Sequence, residues 1–362
     1  MSSLEVNKIK IENFTNFDSQ SLDFSSGINV FIGKNGTGKT HILKLIYASL
    51  LALKEIEAQK IKYPEAMIQE KLVNCFMPDE LQRLIRRGGD KGATGNKTAS
   101  IEIEISKKKL AYSFNRKNNK IEEIKKPKLS VKNIIYLPPI EMLSIQKGFA
   151  AAWKNRENSF DETYYQLANL LDLNPARGPK EEDAKNLLEM IKDKLKASVS
   201  KKDNGNFYVK IGGADLESAL VGQGLRKIAS IIYLINNGTI TKDSILFWDE
   251  PEAHLNPELS KSVADFIIEL SKQGLQIFIA SHDYLLTQML SLKAEFPEKK
   301  TKKNGENFSI KFFSLTQETE TSATQIEVGD TLLDITSNPI LDEFTKYYHY
   351  EQNLIHKTGN KK

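Results

Sequence analysis

The stretch "INVFIGKNGTGKT", residues 28–40, constrains this chain more than any other. An apolar run that reads as a buried strand stops at Gly33. A helical run opens at Lys39, with Ile42, Leu45, Ile46 and Ser49 on one face, and is predicted to end near Leu53. Between them, residues 33–40 fit G-x-x-x-x-G-K-[ST] in the strand-to-helix context that this motif requires. Gly33, Gly36 and Gly38, with Asn35 and Thr37 in the same turn, let backbone N–H groups wrap phosphate oxygens, and the helix N-terminus adds partial positive charge. Lys39 is placed to reach the β and γ phosphates, Thr40 to offer its hydroxyl to Mg²⁺, and His41 to follow in the same helical turn.

Downstream, a helix to Ile235, the strand "ILFW", a helix from Glu258 to Lys272 closed by Gly274, and the strand "QIFIA" alternate in the manner of a parallel α/β sheet. Upstream, "EVNKIKIENFTNFDSQSLDFSSGINVFIG" alternates apolar and polar residues in three bursts, which predicts an antiparallel meander feeding the strand at Ile28–Ile32. A helical stretch around Glu65 to Arg87 precedes "RRGGDKGATGNK", read as a mobile surface loop. "SIEIEIS" and "LAYSFNR" predict a hairpin, and "NIIYLPP" a buried strand stopped by prolines. From Glu141 to Val199 the pattern predicts a separate helical lobe broken at "NPARGPK", and "NFYVKIGGADLESAL" then returns to strand and turn. This divides the chain into 1–140, carrying the phosphate loop and a β subdomain, 141–225, the helical lobe, and 226–362, the rest of the α/β core. There is no internal repeat and no heptad run long enough for a coiled coil.

Two segments would complete a phosphate site. "ILFWDEPE" sets four apolar residues before two acids. Buried in the central sheet, they would deliver Asp249 to the surroundings of Mg²⁺ and Glu250 to a place beside the γ-phosphate, where a carboxylate can orient or deprotonate water. A solvated acid pair is the plainer reading of "DE" alone, and the apolar run with the upstream phosphate loop tells against it. "QIFIASHD" brings Ser281 and His282 to the carboxyl edge of the same sheet, the edge where open α/β sheets bind ligands. There His282 could hydrogen-bond the γ-phosphate, or serve only as a loop residue. Last, "ALVGQGLRKIASII" opens another apolar helix on Gly222, Gln223 and Gly224.

With 362 residues, 40% hydrophobic and 27% charged, the chain can bury a large core and is too polar for a membrane protein. No apolar run approaches the ~18 residues of a spanning helix, and the first twenty residues do not read as a signal peptide. We therefore expect a cytoplasmic protein with no membrane partner. The single Cys75 excludes an internal disulfide, and five scattered histidines lack metal-ligand spacing, so a metal is expected to arrive with its ligand. Net charge is only +4, but lysines crowd Ser106 to Lys128 and "EKKTKKNGE" near residue 300. Phosphate backbones favour such surfaces, and solvated loops also carry them, so nucleic acid is a candidate partner.

The order of these motifs, Walker A at 33–40, the glycine-rich helix start at 222–224, "DEPEAHLNP" at 249–257 and "SHD" at 281–283, resembles that of ABC-type ATPases. The opening "IKIENFTNF" with "GINVFIGKNGTGKT" resembles the SMC, RecF and OLD branch. "YLPPIEMLS", "GQGLRK" and "WDEPEAHLNP" resemble the stand-alone ATPase subunits, of AAA_15/AAA_21 type, in prokaryotic antiphage systems such as Septu and PARIS. The resemblance implies an α/β P-loop ABC-ATPase head with an N-terminal antiparallel β subdomain, a helical lobe and no long coiled coil. It implies ATP and Mg²⁺ as cofactors, Glu250 and His282 as catalytic groups, and Thr40 and Asp249 at the metal. It further implies a homodimer or higher oligomer whose heads pack head to tail, so that Gly222, Gln223 and Gly224 of one copy meet the γ-phosphate held by the other.

A serine normally stands where Gly222 aligns, so this contact would rest on backbone N–H groups and the helix end, supplemented by Lys227. A glycine turn that merely opens a core helix is the alternative. Leu255, Asn256 and Pro257 would form the D-loop crossing the seam. Gln146 is the Q-loop candidate, or else an exposed helical glutamine. The function implied is a sensor and regulator of a separate effector, a nuclease, in antiphage defence. No nuclease constellation is visible, and the eighty residues after His282 are too few for a Toprim domain. A RecF-like, DNA-binding repair ATPase is the alternative, although "WDEPEAHLNP" departs from the RecF pattern. A transporter ATPase is the third, opposed by the N-terminal "IENFTNF".

Overall fold

Strand β1 (Val6–Phe14) turns at Thr15 and Asn16 into β2 (Phe17–Asp23), and after Gly27 the chain enters β3 (Ile28–Gly33). The helices α1 (Lys39–Ala58) and α2 (Pro64–Phe76) follow, then β4 (Thr98–Ile105), β5 (Lys108–Asn115), β6 (Ile121–Lys125) and β7 (Ile134–Leu137). Next come α3 (Phe149–Lys154), α4 (Glu162–Asp172) and α5 (Pro179–Leu195), and the short strands β8 (Ala197–Lys201), β9 (Phe207–Ile211) and β10 (Ala214–Glu217). The remainder is α6 (Gln223–Asn236), β11 (Ile245–Asp249), α7 (Pro257–Lys272), β12 (Gln276–Ser281), α8 (Tyr284–Glu295), β13 (Ile310–Thr316), β14 (Gln325–Gly329) and α9 (Pro339–Gly359). This is a computed structural model that describes residues 4–86, 97–131, 133–195, 197–211, 213–296, 308–319 and 321–359. Most of the glycine-rich loop after Arg86 and the lysine run near residue 300 lie outside the described residues.

The central sheet runs β14-β13-β3-β12-β11-β7, parallel throughout except for the edge strand β14. Every residue of β3, β11 and β12 is buried, as a parallel sheet covered on both faces demands. Alternation divides these strands between two cores. Val30, Leu246, Trp248, Ile277 and Ile279 face one layer with α4, α6 and α7; Phe31, Phe247, Phe278 and Ala280 face the other with α1 and the five-stranded sheet.

That five-stranded antiparallel sheet is ordered β2-β1-β4-β5-β6. Ile9, Ile11, Ile101, Ile103, Leu110 and Tyr112 point into its core while their neighbours face out, which matches the period of two in the sequence. The expected N-terminal meander is thereby corrected: β1 and β2 pair with each other, but β3 belongs to the other sheet. The reason is burial, because β3 is apolar on both faces and fits only a strand covered on both sides.

The α2 helix stops at Phe76 rather than Arg87, since Met77 takes a left-handed backbone (φ 52°) just before Pro78. The stretch read as a separate helical lobe shares its core with the central sheet. Leu167, Leu171, Leu187 and Val199 cluster with Ile231 and Trp248, and the stretch closes with β8-β9-β10, a small antiparallel sheet.

Candidate nucleotide-binding site

The carboxyl ends of β3, β11 and β12 lie side by side, with Asp249 paired to Ala280 and Ser281 to Ile32. At this edge the chain turns from β3 into α1. The N-cap residue of α1, Gly38, sits at φ 102°, and a Cβ there would stand 2.6 Å from Phe17 Cζ, so only glycine fits. Having no side chain, it leaves the first N–H groups of α1 uncapped, an anion-binding arrangement.

Asn35 and Gly36 are exposed on the loop; Thr37, Gly38 and Lys39 are buried. Asn16 Nδ2 donates to the Gly36 carbonyl and Thr324 Oγ1 to that of Thr37 (2.8 Å), bracing the loop from outside. Lys39 Nζ bends back to donate to the carbonyls of Gly33 (2.7 Å) and Lys34 (2.9 Å). Burial lowers its pKa, against the pull of Asp249, Glu250 and Glu252. His41 follows with its Nδ1 sealed from water and without a hydrogen-bond partner, its ring tilted against Phe76 at 5.6 Å.

The two motifs far apart in sequence meet at one contact: Thr40 Oγ1 donates to Asp249 Oδ1 at 3.0 Å. Tyr136, from β7, donates its hydroxyl to the other oxygen, Oδ2, at 3.1 Å. Burial pushes the Asp249 carboxyl up to about 6, with Thr40 and Tyr136 opposing the rise. Glu250 adopts φ 50°, a strained value for a residue with a side chain. Its backbone is held on both sides, the N–H by Ala280 O (2.9 Å) and the carbonyl by Lys227 Nζ (2.9 Å). The side chain turns outward to within 3.6 Å of His282 Nδ1. Together these residues set a hydroxyl, two carboxylates, an ammonium group, an imidazole and a helix N-terminus around one sheet edge.

Gly222 and Gln223 are exposed at the start of α6, and Gly222, its N-cap, supplies no side chain. Gly224 is buried. Asn256 caps α7 by accepting from Leu259 N–H (2.8 Å), with Pro257 at the first helical position and Leu255 just before.

Two expectations need correction. Lys227 was expected to supplement a contact with a second copy; it is buried and bonded to Glu250 of its own chain, and that burial lowers its pKa to about 8. Gln146 was expected at the nucleotide or on an exposed helix. It is buried in a loop, its amide donating to Ala168 O (3.4 Å) and Asp172 Oδ1 (3.2 Å). Asp161, at the opposite end of α4, is the residue that meets α1 through Lys44 (2.6 Å), and those ends are about 15 Å apart by helical rise.

Sequence reasoning missed Tyr136 and Glu252. Nothing in the sequence says that β7 lies beside β11, and "DEPEAH" gives no sign that its second glutamate is buried. The lysines of the first basic segment are partly engaged: Lys109 pairs with Glu102 (2.9 Å) and Lys108 bonds the carbonyl of Lys128.

Residues 28–287, which include the phosphate loop, α6, the Asp249–Glu250 pair and His282, match the family model AAA_21, "AAA domain, putative AbiEii toxin, Type IV TA system". The chain belongs to the AAA_21 family. Among curated proteins, this member is similar to the DNA replication and repair protein RecF of Lysinibacillus sphaericus, 43% identical over 49 residues, 14% of this chain and 13% of that one. It is also similar to RecF of Francisella tularensis subsp. novicida, 26% identical over 121 residues, 33% of this chain and 29% of that one. The chain thus matches under a third of the length of either relative.

In fold, this AAA_21 chain is similar to the Smc head domain of Pyrococcus furiosus solved with an extended coiled coil and bound to the C-terminal domain of ScpA. The TM-score is 0.51 at 14% identity, over 94% of this chain and 100% of that one. By family it is thus an AAA-domain protein and by fold it is similar to an SMC head, and no long coiled coil occurs among its described residues. No helix among them is long and apolar enough to cross a membrane.

Proposed function

We propose that the chain binds and hydrolyses ATP with Mg²⁺ at this edge, and that ATP closes two copies head to tail. The observation that carries the proposal is the 3.0 Å contact between Thr40 and Asp249, which unites the two halves of a nucleotide site. Their oxygens are the hard donors that Mg²⁺ takes, and the metal would supply charge neutralisation at the phosphates. Lys39 exchanges the carbonyls of Gly33 and Lys34 for phosphate oxygens. Glu250 orients the attacking water, and His282 offers a hydrogen bond to the γ-phosphate. Gly222 and Gln223 face solvent with uncapped N–H groups, which supports a role toward a second copy.

In this reading 1–140 supplies the phosphate loop, 141–225 the helical lobe and the glycine-rich helix start at 222–224, and 226–362 the acids, the D-loop and His282. Opening and closing of the dimer, in the cytoplasm, controls a separate effector, a nuclease, in antiphage defence. The test is Glu250→Gln. Turnover should fall about 10²–10⁴-fold while ATP binding persists and the dimer accumulates. Unchanged hydrolysis would remove Glu250 from its role.

The RecF matches favour a second reading, an ATP-closed clamp on DNA. A salt-sensitive, ATP-dependent affinity of the purified chain for duplex DNA, without any partner, supports it over the effector model.

A further inference from the structure

Glu252 lies three residues beyond Asp249, and its carboxylate is buried at 7% exposure. Its Oε1 accepts from the Ser281 hydroxyl (2.9 Å) and from the backbone N–H of His282 (3.0 Å). The same oxygen stands 3.5 Å from His282 Nδ1, on the side of the ring that also meets Glu250 Oε1 at 3.6 Å. Its other oxygen, Oε2, is sealed from water and has no hydrogen-bond partner. A carboxylate hidden in this way is costly, and a neutral side chain could accept the same two bonds without its charge.

We infer that Glu252 is a positioning residue for His282, fixing which face and which nitrogen of the imidazole meet the γ-phosphate; this rests on the ATPase reading given above. Nδ1 is the nitrogen turned toward the two carboxyl groups, and Nε2 is the one left for a ligand on the half-exposed ring. Through its grip on the His282 backbone, Glu252 also fixes where the ring is rooted. One buried oxygen thereby sets both the position of the loop after β12 and the direction of the ring. Burial raises the Glu252 pKa, and the His282 N–H, the Ser281 hydroxyl and the His282 ring oppose that rise.

The decisive comparison is Glu252→Gln in two backgrounds, with steady-state ATPase kinetics, nucleotide affinity and thermal melting measured for each. Glutamine keeps an acceptor for Ser281 and for the His282 N–H, so the chain should melt as the parent does. KM and ATP affinity should stay within about two-fold, while kcat falls about 10–100-fold, the range for a group acting through another. In a His282→Ala background the same substitution should change kcat by less than about two-fold, because its effect passes through the missing ring.

If Glu252→Gln lowers kcat by the same factor with and without His282, or leaves the parent's kcat unmoved, the inference is wrong and the ATPase reading stands. If the parent chain does not hydrolyse ATP, or His282→Ala is as active as the parent, the reading of the site fails and takes this inference with it. Glu252→Asp, which keeps the charge and shortens its reach, should recover part of the lost kcat.

Discussion

A methyl group added at Gly224 would stand 2.5 Å from Leu255 Cδ2 and 2.7 Å from the His254 carbonyl oxygen, whereas one at Gly222 would meet nothing within 4 Å. The first glycine of the pair therefore has room for a side chain, and the second lets α6 press against the loop that follows Glu250. Gly224→Ala should destabilise the chain by about 1–3 kcal/mol through overpacking, read from urea unfolding. Gly222→Ser should leave stability within about 0.5 kcal/mol. By adding a hydroxyl donor to each of the two sites it should tighten ATP-driven dimerisation by about thirty-fold, the worth of two added hydrogen bonds at about 1 kcal/mol each, read by analytical ultracentrifugation. A dimer constant unmoved by the serine would mean that Gly222 does not face the phosphates of a second copy. In the sequence the two glycines read alike, because their difference lies in atoms of Leu255 and His254, some thirty residues on. The meeting of Thr40 with Asp249 was legible, since Thr40 closes the phosphate-loop pattern and Asp249 ends a strongly apolar run. Tyr136 was not, because strand order is a property of the sheet and leaves no mark on a strand's own residues.

At the scale of elements, α1, α2 and α4 are locked by a buried ion cluster. Lys71 Nζ, on α2, lies 2.7 Å from Glu162 Oε1 on α4 and 2.9 Å from Glu55 Oε1 on α1, with the Lys71 and Glu162 side chains only 5% and 2% exposed. Lys71→Met should cost about 3–5 kcal/mol, because Glu162 is left charged and buried without its cation. Lys71→Met combined with Glu162→Leu should recover most of that loss in the same denaturation assay. Equal loss in the single and double variants would show that the cluster is not what holds these helices together. Helix periodicity marked out these elements but not their lock, since Lys71 and Glu162 are 91 residues apart. The same distinction explains the N-terminal strands. Their alternation was plain, but only two-sided burial assigns β3 to the central sheet.

On the scale of the whole molecule, the phosphate loop and the start of α6 sit on one chain without an evident shared task. The loop gathers Thr40, Asp249, Glu250 and His282 around itself, while Gly222 and Gln223 open onto solvent. If each site is completed by a second copy, two different defects in separate chains should complement. Lys39→Ala removes the group that reaches the phosphates, and Gly222→Arg, at a position with space for a side chain, blocks the offered helix end. Each variant alone should be nearly inactive, with Gly222→Arg still binding ATP as a monomer. In a closed two-fold pair the mixed dimer holds one intact site: the phosphate loop of the Gly222→Arg chain faces the untouched α6 of the Lys39→Ala chain. An equimolar mixture should therefore regain about a quarter of the parent's activity, half of the dimers being mixed and each carrying one working site of two. A mixture no more active than its components would show that no working site is assembled from the phosphate loop of one copy and the α6 start of the other.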